Sequence, residues 1–472
     1  MPSYLHPGVY IEELPSGSRP IEGVGTSTAC FIGYATQGPV AEPTLISNWD
    51  DYERQFGGLR NVDDPLGDAL GHSISIFFLN GGTKAYIVRA VKEDTADSAE
   101  GTLRDAADTT DLLTVTATNP GEWGDDVVLR FTRKPARDDD GNEVFVFLAQ
   151  TGTGTGDDFA PLETIGEVVP EEAATTALES VINGGASKLV TVELVGSESD
   201  LRTRLEANAT TDVTLAGGTD GDEPESADYT TIFSRLLKVR DINILLMPGL
   251  QWDGGTGQSI LDQAIAHCET IRNRMVIIDP QPTEELENET DVNDLDLPTS
   301  TYAALYYPWP QINNPFYNPD SNPAAARTVL VSPAAFAAGL WAKTDSRRGV
   351  WKAPAGIEFP LLGVSALEYT VEDAEQDFLN PQGVNAMRRM PGFGPVVWGT
   401  RTRSTRANPE WRYIPVRRTA IFIEESIYNG IQWAVFEPND HRLWSSLRVN
   451  VESFMNGLFS CLLYTSPSPR DS

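Results

Sequence analysis

At 472 residues the chain is too long for one ordinary core and predicts two or three domains. Its formal charge of −33, from 35 basic and 68 acidic side chains, speaks against a nucleic-acid partner, since phosphates repel so acidic a surface. Three scattered cysteines, Cys30, Cys268 and Cys461, give neither a disulfide framework nor a zinc spacing and predict a reducing compartment.

The N-terminal Met1-Pro2-Ser3-Tyr4 has no charged n-region or apolar h-region, so no signal peptide is read. No apolar run reaches spanning length, and no direct membrane insertion is expected. Residues 1–25 carry no helical period: Pro7, Pro15 and Pro20, with several glycines, interrupt any helix. Within them Val9-Tyr10-Ile11-Glu12 can form a short strand on a loose tether. Such a strand can pair outside its own domain; the plain alternative is a frayed terminus.

An α/β pattern fills residues 26–94. Cys30-Phe31-Ile32-Gly33-Tyr34 reads as a buried strand. Ser47 or Asn48 can cap a helix through Phe56, stopped by Gly57-Gly58. Leu66, Leu70, Ile74 and Phe77 or Phe78 follow helical spacing, with Gly81-Gly82 as the stop. Ala85-Tyr86-Ile87-Val88 returns as a strand, and the order implies a crossover unit with a parallel sheet.

Residues 95–225 alternate in the β manner, as in Val127, Leu129 and Phe131, with Asp138-Asp139-Asp140-Gly141-Asn142 as a hairpin loop. Residues 91–230 hold 9 basic and 31 acidic side chains, a net −22. The segment therefore reads as an acidic, mainly β domain inserted into the α/β core, solvated on the outside. General salt adaptation accounts for the acidity equally well, because only 7 of the 35 basic residues are lysine.

The core resumes over residues 226–460. Ile242-Asn243-Ile244-Leu245-Leu246-Met247 and Met275-Val276-Ile277-Ile278 are nearly continuous apolar strands, as parallel sheets require. Ile260, Ala264 and His267 or Cys268 share one helical face between them. Ser332-Pro333 is a helix start, with cap and first-turn proline. From about Asn439, Leu443, Leu447, Val451, Phe454 and Leu458 form the stripe of an amphipathic helix. Residues 381–472 carry 11 basic and 7 acidic side chains, and this excess predicts an acidic partner, met by residues such as Arg442 and Arg448.

The search for chemistry is negative. His6, His72, His267 and His441 fall in no metal-ligand spacing and adjoin no nucleophile motif. Asn80-Gly81-Gly82-Thr83-Lys84 lacks the offsets of a phosphate loop and reads as a helix stop. A calcium loop over Asp138-Asp139-Asp140-Gly141 fails, because its first ligand position would be Ala136. No cofactor and no enzymatic activity are expected. Trp341 and Trp351, flanking Arg347 and Arg348, fit either core packing or an interface anchored by aromatic and arginine side chains.

Several segments together resemble the contractile phage-type tail sheath family. Pro7-Gly8-Val9-Tyr10-Ile11-Glu12-Glu13 is similar to its N-terminal arm, and Thr28-Ala29-Cys30-Phe31-Ile32-Gly33-Tyr34-Ala35 to its first core strand. Asn80-Gly81-Gly82 with Tyr86-Ile87-Val88-Arg89 resembles the next strand. Asn119-Pro120-Gly121-Glu122-Trp123-Gly124-Asp125 resembles a motif just inside its variable domain. Tyr307, Pro308 and Trp309, then Asp345, Arg348, Gly349, Trp351 and Pro354, resemble its most distinctive stretch. The segments follow the family order over most of the chain, in the manner of the one-polypeptide sheaths of phages, tailocins and phage-like injection systems.

The resemblance implies an α/β core, subtilisin-like in fold without a catalytic triad, bearing an outward-facing insertion. It implies a homo-oligomer of stacked six-fold rings around an inner tail tube protein, with baseplate and tail terminator proteins at its ends. Arms that add strands to neighbours' sheets would link the subunits. Assembly in the cytoplasm and residence in a virion tail or injection particle follow. Two departures stand out. Val331-Ser332-Pro333-Ala334 replaces the family's Pro-Pro-Ser-Gly run. Residues 461–472 read as translated sequencing-adapter DNA on a truncated gene, in place of further core and a C-terminal arm. Rival readings are a subtilisin-like hydrolase, which needs a positioned His, Asp and Ser, and a surface-layer or adhesive protein, which needs an export signal.

Overall fold

The computed structural model describes residues 20–62, 66–137, 143–171, 174–252, 254–282, 285–404 and 408–464. The arm strand expected at Pro7, Gly8, Val9, Tyr10, Ile11 and Glu12 lies outside these residues, as do the loop 138–142 and residues 465–472 of the expected foreign tail.

The first part of the core contains β1 (Ala29–Gly33), β2 (Thr44–Ile46), α1 (Trp49–Phe56), α2 (Ala69–Leu79) and β3 (Ala85–Arg89). The side chain of Asn48 caps α1 by accepting from the Asp51 N–H, and Gly57 ends the helix with φ 88°. Leu66, expected as the first residue of the next helical stripe, precedes α2 instead. Gly67 turns the chain with φ 56°, and Asp68 caps the helix by accepting from the Gly71 N–H.

The chain then builds β4 (Glu100–Arg104), β5 (Asp111–Ala117), β6 (Val127–Arg137), β7 (Glu143–Thr153), β8 (Ala160–Val168), α3 (Leu178–Val181), β9 (Val190–Leu194), α4 (Glu198–Glu206) and β10 (Thr210–Thr214). These form two antiparallel sheets, β10-β6-β7-β8 and β4-β5-β9, around a core of their own that includes Leu113, Leu129, Phe131, Phe147 and Leu201. The outer edge of β9 is closed by a side chain. The Asn183 amide donates to the Val192 carbonyl at 2.8 Å and accepts its N–H at 2.9 Å, taking the place of another strand.

The remaining elements are α5 (Ser226–Leu236), β11 (Ile244–Leu246), α6 (Thr256–Ile271), β12 (Met275–Ile278), α7 (Glu289–Asp294), β13 (Ala303–Tyr307), β14 (Pro310–Asn313), β15 (Thr328–Leu330), α8 (Pro333–Arg348), β16 (Ala366–Leu367), α9 (Asp373–Leu379), β17 (Val384–Met390), β18 (Gly394–Val397), α10 (Ile414–Gly430) and α11 (His441–Tyr464). The central sheet has the order β18-β17-β13-β12-β11-β1-β3-β2. Its six middle strands are parallel, and its two edge strands run antiparallel to their neighbours.

Strand alternation assigns the two faces. Phe31 and Tyr306 lie on one, where Phe77 of α2 and Trp341 of α8 meet them. Helices α5 and α6 pack together on the other, with the buried Cys268 near Cys30. Both faces are covered, so β1, β11, β12 and β13 are apolar without alternation.

The expected stripe on α11 forms, but Leu443, Leu447, Val451, Phe454 and Leu458 are only half-buried. Its ring contact is between Phe454 and Phe422 of α10, at 6.3 Å. Trp444, Val449 and Phe459 on other sides of α11 stay exposed, at 49%, 59% and 57%.

Candidate interaction site

The chain enters the described core along α10. Ile21 is buried against Gly430, Gly23 lies against the ring of Phe422, and the Val24 N–H donates to Ser426 Oγ at 3.1 Å. Two residues later Thr26 reaches a charged pair from distant segments. Arg418 on α10 donates to both carboxylate oxygens of Asp345 on α8, at 2.9 and 2.6 Å. Thr26 Oγ1 donates to the same carboxylate at 2.5 Å, and its carbonyl accepts from Arg418 at 2.8 Å. The guanidinium lies 4.6 Å from the centre of the Trp341 ring, whose Nε1 donates to Tyr306 Oη at 2.9 Å. Both charged side chains are 5% exposed, the most buried ion pair among the described residues.

Asp345 belongs to the stretch singled out in the sequence, and so do its neighbours. Arg348, Gly349, Trp351 and Pro354 follow it around the end of α8. Gly349 has φ 94°, and the Trp351 ring occupies the place of any side chain there, 2.3 Å from an added Cβ. Arg348 pairs with Glu358 at 2.6 Å in solvent, Trp351 is 36% exposed and Pro354 is buried. Tyr307, the last residue of β13, and Pro308 and Trp309 after it are buried. Tyr307 Oη accepts from the Leu286 N–H at 3.1 Å, and Trp309 Nε1 donates to the Pro280 carbonyl at 3.0 Å. Trp341 and Trp309 are therefore core side chains, and Trp351 alone of the three reaches solvent.

A second polar node joins the unit built from β4 to β10 to the core. Arg89 ends β3 fully buried. It donates to the carbonyls of Ala35 at 2.8 Å, Gly38 at 3.2 Å and Pro120 at 2.6 Å, and sits 3.9 Å from Asp220. Tyr34 donates its hydroxyl to Asp220, which also accepts from the Glu122 N–H at 3.1 Å. The Gly121 and Gly218 backbones meet here so closely that a Cβ on Gly218 would stand 2.2 Å from the Gly121 oxygen. The motif around Pro120 thus forms the joint between units. Arg89 stands in the sequence only as the last residue of a family-like strand, and nothing local marks its burial or its partners.

A third buried charge, Arg274, donates to the carbonyls of Leu236 and Val239 just past α5, at 3.3 and 2.6 Å, as suits a cation at a helix C-terminus. His267 lies 3.4 Å from it and stacks on Phe233; burial holds its ring well below the usual histidine value, at about 4. At the start of α8, Ser332 donates its hydroxyl to Asp279, and the Ala334 N–H donates at 2.9 Å. Burial pushes the Asp279 carboxyl up to about 7, those two hydrogen bonds pulling the other way. A carboxyl that keeps its proton on folding stabilises the fold below about pH 4, and that contribution is lost as pH rises to about 7. Asp279→Asn cannot ionise. Its stability relative to the parent chain should rise from pH 4 to 7, by on the order of 4 kcal/mol, and then level off. Urea unfolding at several pH values checks this, and a pH-independent difference counts against it.

Arg442 and Arg448 are exposed on α11. Six residues apart on a helix turning about 100° per residue, they point about 120° from each other and share no single face. Among the described residues no group of three or more His, Cys, Asp or Glu is placed to hold a metal ion, and no helix is long and apolar enough to cross a membrane.

Comparison with known proteins adds the following. The model of the phage tail sheath protein central domain matches residues 222–403, and that of the phage tail sheath C-terminal domain matches residues 406–460, together about half of the chain. The tail sheath protein of Enterobacteria phage T4 is 30% identical over 160 residues, 34% of this chain and 23% of that protein. The chain spans less than a third of the length of the curated relatives it matches. Among solved structures, a sheath tail protein from Listeria innocua superposes with a TM-score of 0.61 at 12% identity, covering 94% of this chain and 86% of that one. The sheath complex of an extracellular contractile injection system in its contracted state gives 0.52 at 19% identity, covering 98% and 84%. At these identities the structural likeness is one of fold.

Proposed function

Because the chain belongs to the phage tail sheath family, we propose that it is a structural subunit of a contractile tail or injection sheath. The subunit polymerises around an inner tube and shortens to drive that tube through a target envelope. The observation that carries this reading is the pair of adjoining sheath-domain matches, which run in order from residue 222 to residue 460.

The physical logic is that of a helical polymer with two arrangements. A head-to-tail contact that does not close gives a helix of subunits. Arms that stay paired while cores slide and repack allow an extended and a contracted state. The extended state is kinetically held, and its release does work without nucleotide hydrolysis. In this reading the protein is not an enzyme and its core is subtilisin-like in fold without a triad. The six parallel strands with helices on both faces support that fold. Residues 26–94 and 226–460 form the core, residues 95–225 the outward domain and residues 1–25 the arm. The partners are further copies, a tube protein, and baseplate and terminator proteins. The particle assembles in the cytoplasm before serving as a virion tail or injection machine.

The test is negative-stain electron microscopy of the chain, alone and co-expressed with the tube protein of the same genome. Hollow tubes with six-fold end views support the reading; monodisperse subunits under both conditions overturn it. Two outcomes should accompany it. Deleting residues 1–20 should leave a folded monomer, by circular dichroism, that forms no polymer; normal sheaths from the deletion would show that the arm is not needed. Replacing Arg442 and Arg448 with glutamate should weaken co-sedimentation with the tube at least tenfold at low salt, if the basic C-terminal region faces an acidic tube. Unchanged docking sinks that assignment.

A further inference from the structure

We infer that Asp345 and Arg418 anchor the root of the N-terminal arm, so that load on the arm passes into helix α8 and the central sheet. The anchoring rests on geometry alone; the load-bearing part rests on the sheath reading.

The root is held at its two ends, by Ile21 and Gly23 against α10 and by the Thr28 carbonyl, which accepts from the Asn243 and Ile244 N–H groups, and less so between them. Between Gly23 and Thr28 it crosses a cavity of about 20 Å³ bounded by Asn243, Met275, Val350 and Ile421. An added Cβ on Gly25 would meet no atom within 4 Å, so apolar packing does not clamp the segment at this point. The ties between Val24 and Thr28 are polar. Val24 donates its N–H to Ser426, Thr28 donates its N–H to Asn243 at 3.1 Å, and Thr26 joins the ion pair through both its hydroxyl and its carbonyl.

The node also joins parts that are far apart in the chain. Thr26 and Asp345 are 319 positions apart, and Asp345 and Arg418 are 73. One element carries the arm, one packs against the central strands and one belongs to the C-terminal helical pair. A force drawing the arm outward meets the carboxylate of α8 before it meets β1. Through Trp341, which carries Arg418 on its face and bonds Tyr306, the same force reaches β13. Nearly complete burial of the two charged side chains strengthens the part-buried bonds they make to Thr26.

Burial also makes the test clean. Replacing both charges with apolar residues of similar volume leaves no unpaired buried charge, which preserves folding in comparable sites, and takes from Thr26 the partners of its hydroxyl and carbonyl. The full chain carrying Asp345→Leu and Arg418→Met is compared with the parent by hydrogen exchange as a monomer. Peptides spanning residues 20–28, which include the bonded amides of Val24 and Thr28, should exchange at least tenfold faster. Those of β11 and β12 should be unchanged. Equal protection of residues 20–28 in a folded double variant overturns the anchor, as does a uniform rise through the sheet. If the double variant fails to fold, Thr26→Val serves instead. It removes only the hydroxyl donor, and should raise exchange of the same peptides several-fold; no rise overturns the inference. Polymer formation is scored separately, so loss of the sheath reading and loss of the anchor are told apart.

Discussion

Replacing Arg89 with methionine will cost about 3–5 kcal/mol of stability and loosen the unit of β4 to β10 on the core. Methionine can fill the space of the stem but donates nothing. The carbonyls of Ala35 and Gly38 then lose a partner in buried surroundings, and that of Pro120 loses one in part-buried surroundings. Each such orphan costs about 1–3 kcal/mol. Asp220 loses its nearest cation as well, although Tyr34 and Glu122 still donate to it. The joint is damaged where the two units meet, so two readouts should move together. The urea midpoint should fall, and proteolysis should appear in the connecting segments 91–98 and 216–224, where Asp97 and Thr219 bridge each other. A lower midpoint with intact connecting segments would mean that Arg89 stabilises only the strand it ends. No change in either would refute the assignment.

Replacing Arg418 alone with methionine should cost a similar amount, about 3–5 kcal/mol, because it strands the Asp345 carboxylate. Its remaining donor in the node is the hydroxyl of Thr26. The face of Trp341 also loses its cation. The double change with Asp345→Leu should recover most of that loss, since no charge is left behind. Urea unfolding of the two single variants and the double variant gives the coupling between the positions. Additive losses would place the energy of the node elsewhere. A single Arg418→Met variant as stable as the parent would mean that water enters the site.

The arm strand and the acidic hairpin loop fall outside the described residues, and Arg442 and Arg448 diverge around α11. The chosen aromatic stretch divides: Trp309 and Trp341 pack inside, while Trp351 covers a glycine at the surface. Core packing and an interface both fit Trp341 and Trp351 in the sequence, because a tryptophan near arginines has the same local pattern in either setting. Depth in the molecule separated them.

What the sequence determined by itself is the set of core elements and their type. Parallel strands covered on both faces must be apolar without alternation, and β1, β11, β12 and β13 are written that way. Asn48 and Ser332 mark helix starts because each has a side chain able to bond the free N–H groups of the next turn, a purely local matter. What only the tertiary structure decided is where the buried charges go. Arg89, Arg274 and Arg418 look like surface residues in any local window. Most of their partners are backbone carbonyls and a carboxylate brought from 31 to 392 positions away, and no periodicity encodes such a meeting. A charge leaves water only where an assembled fold supplies donors and acceptors to replace it, so its burial depends on how the elements pack.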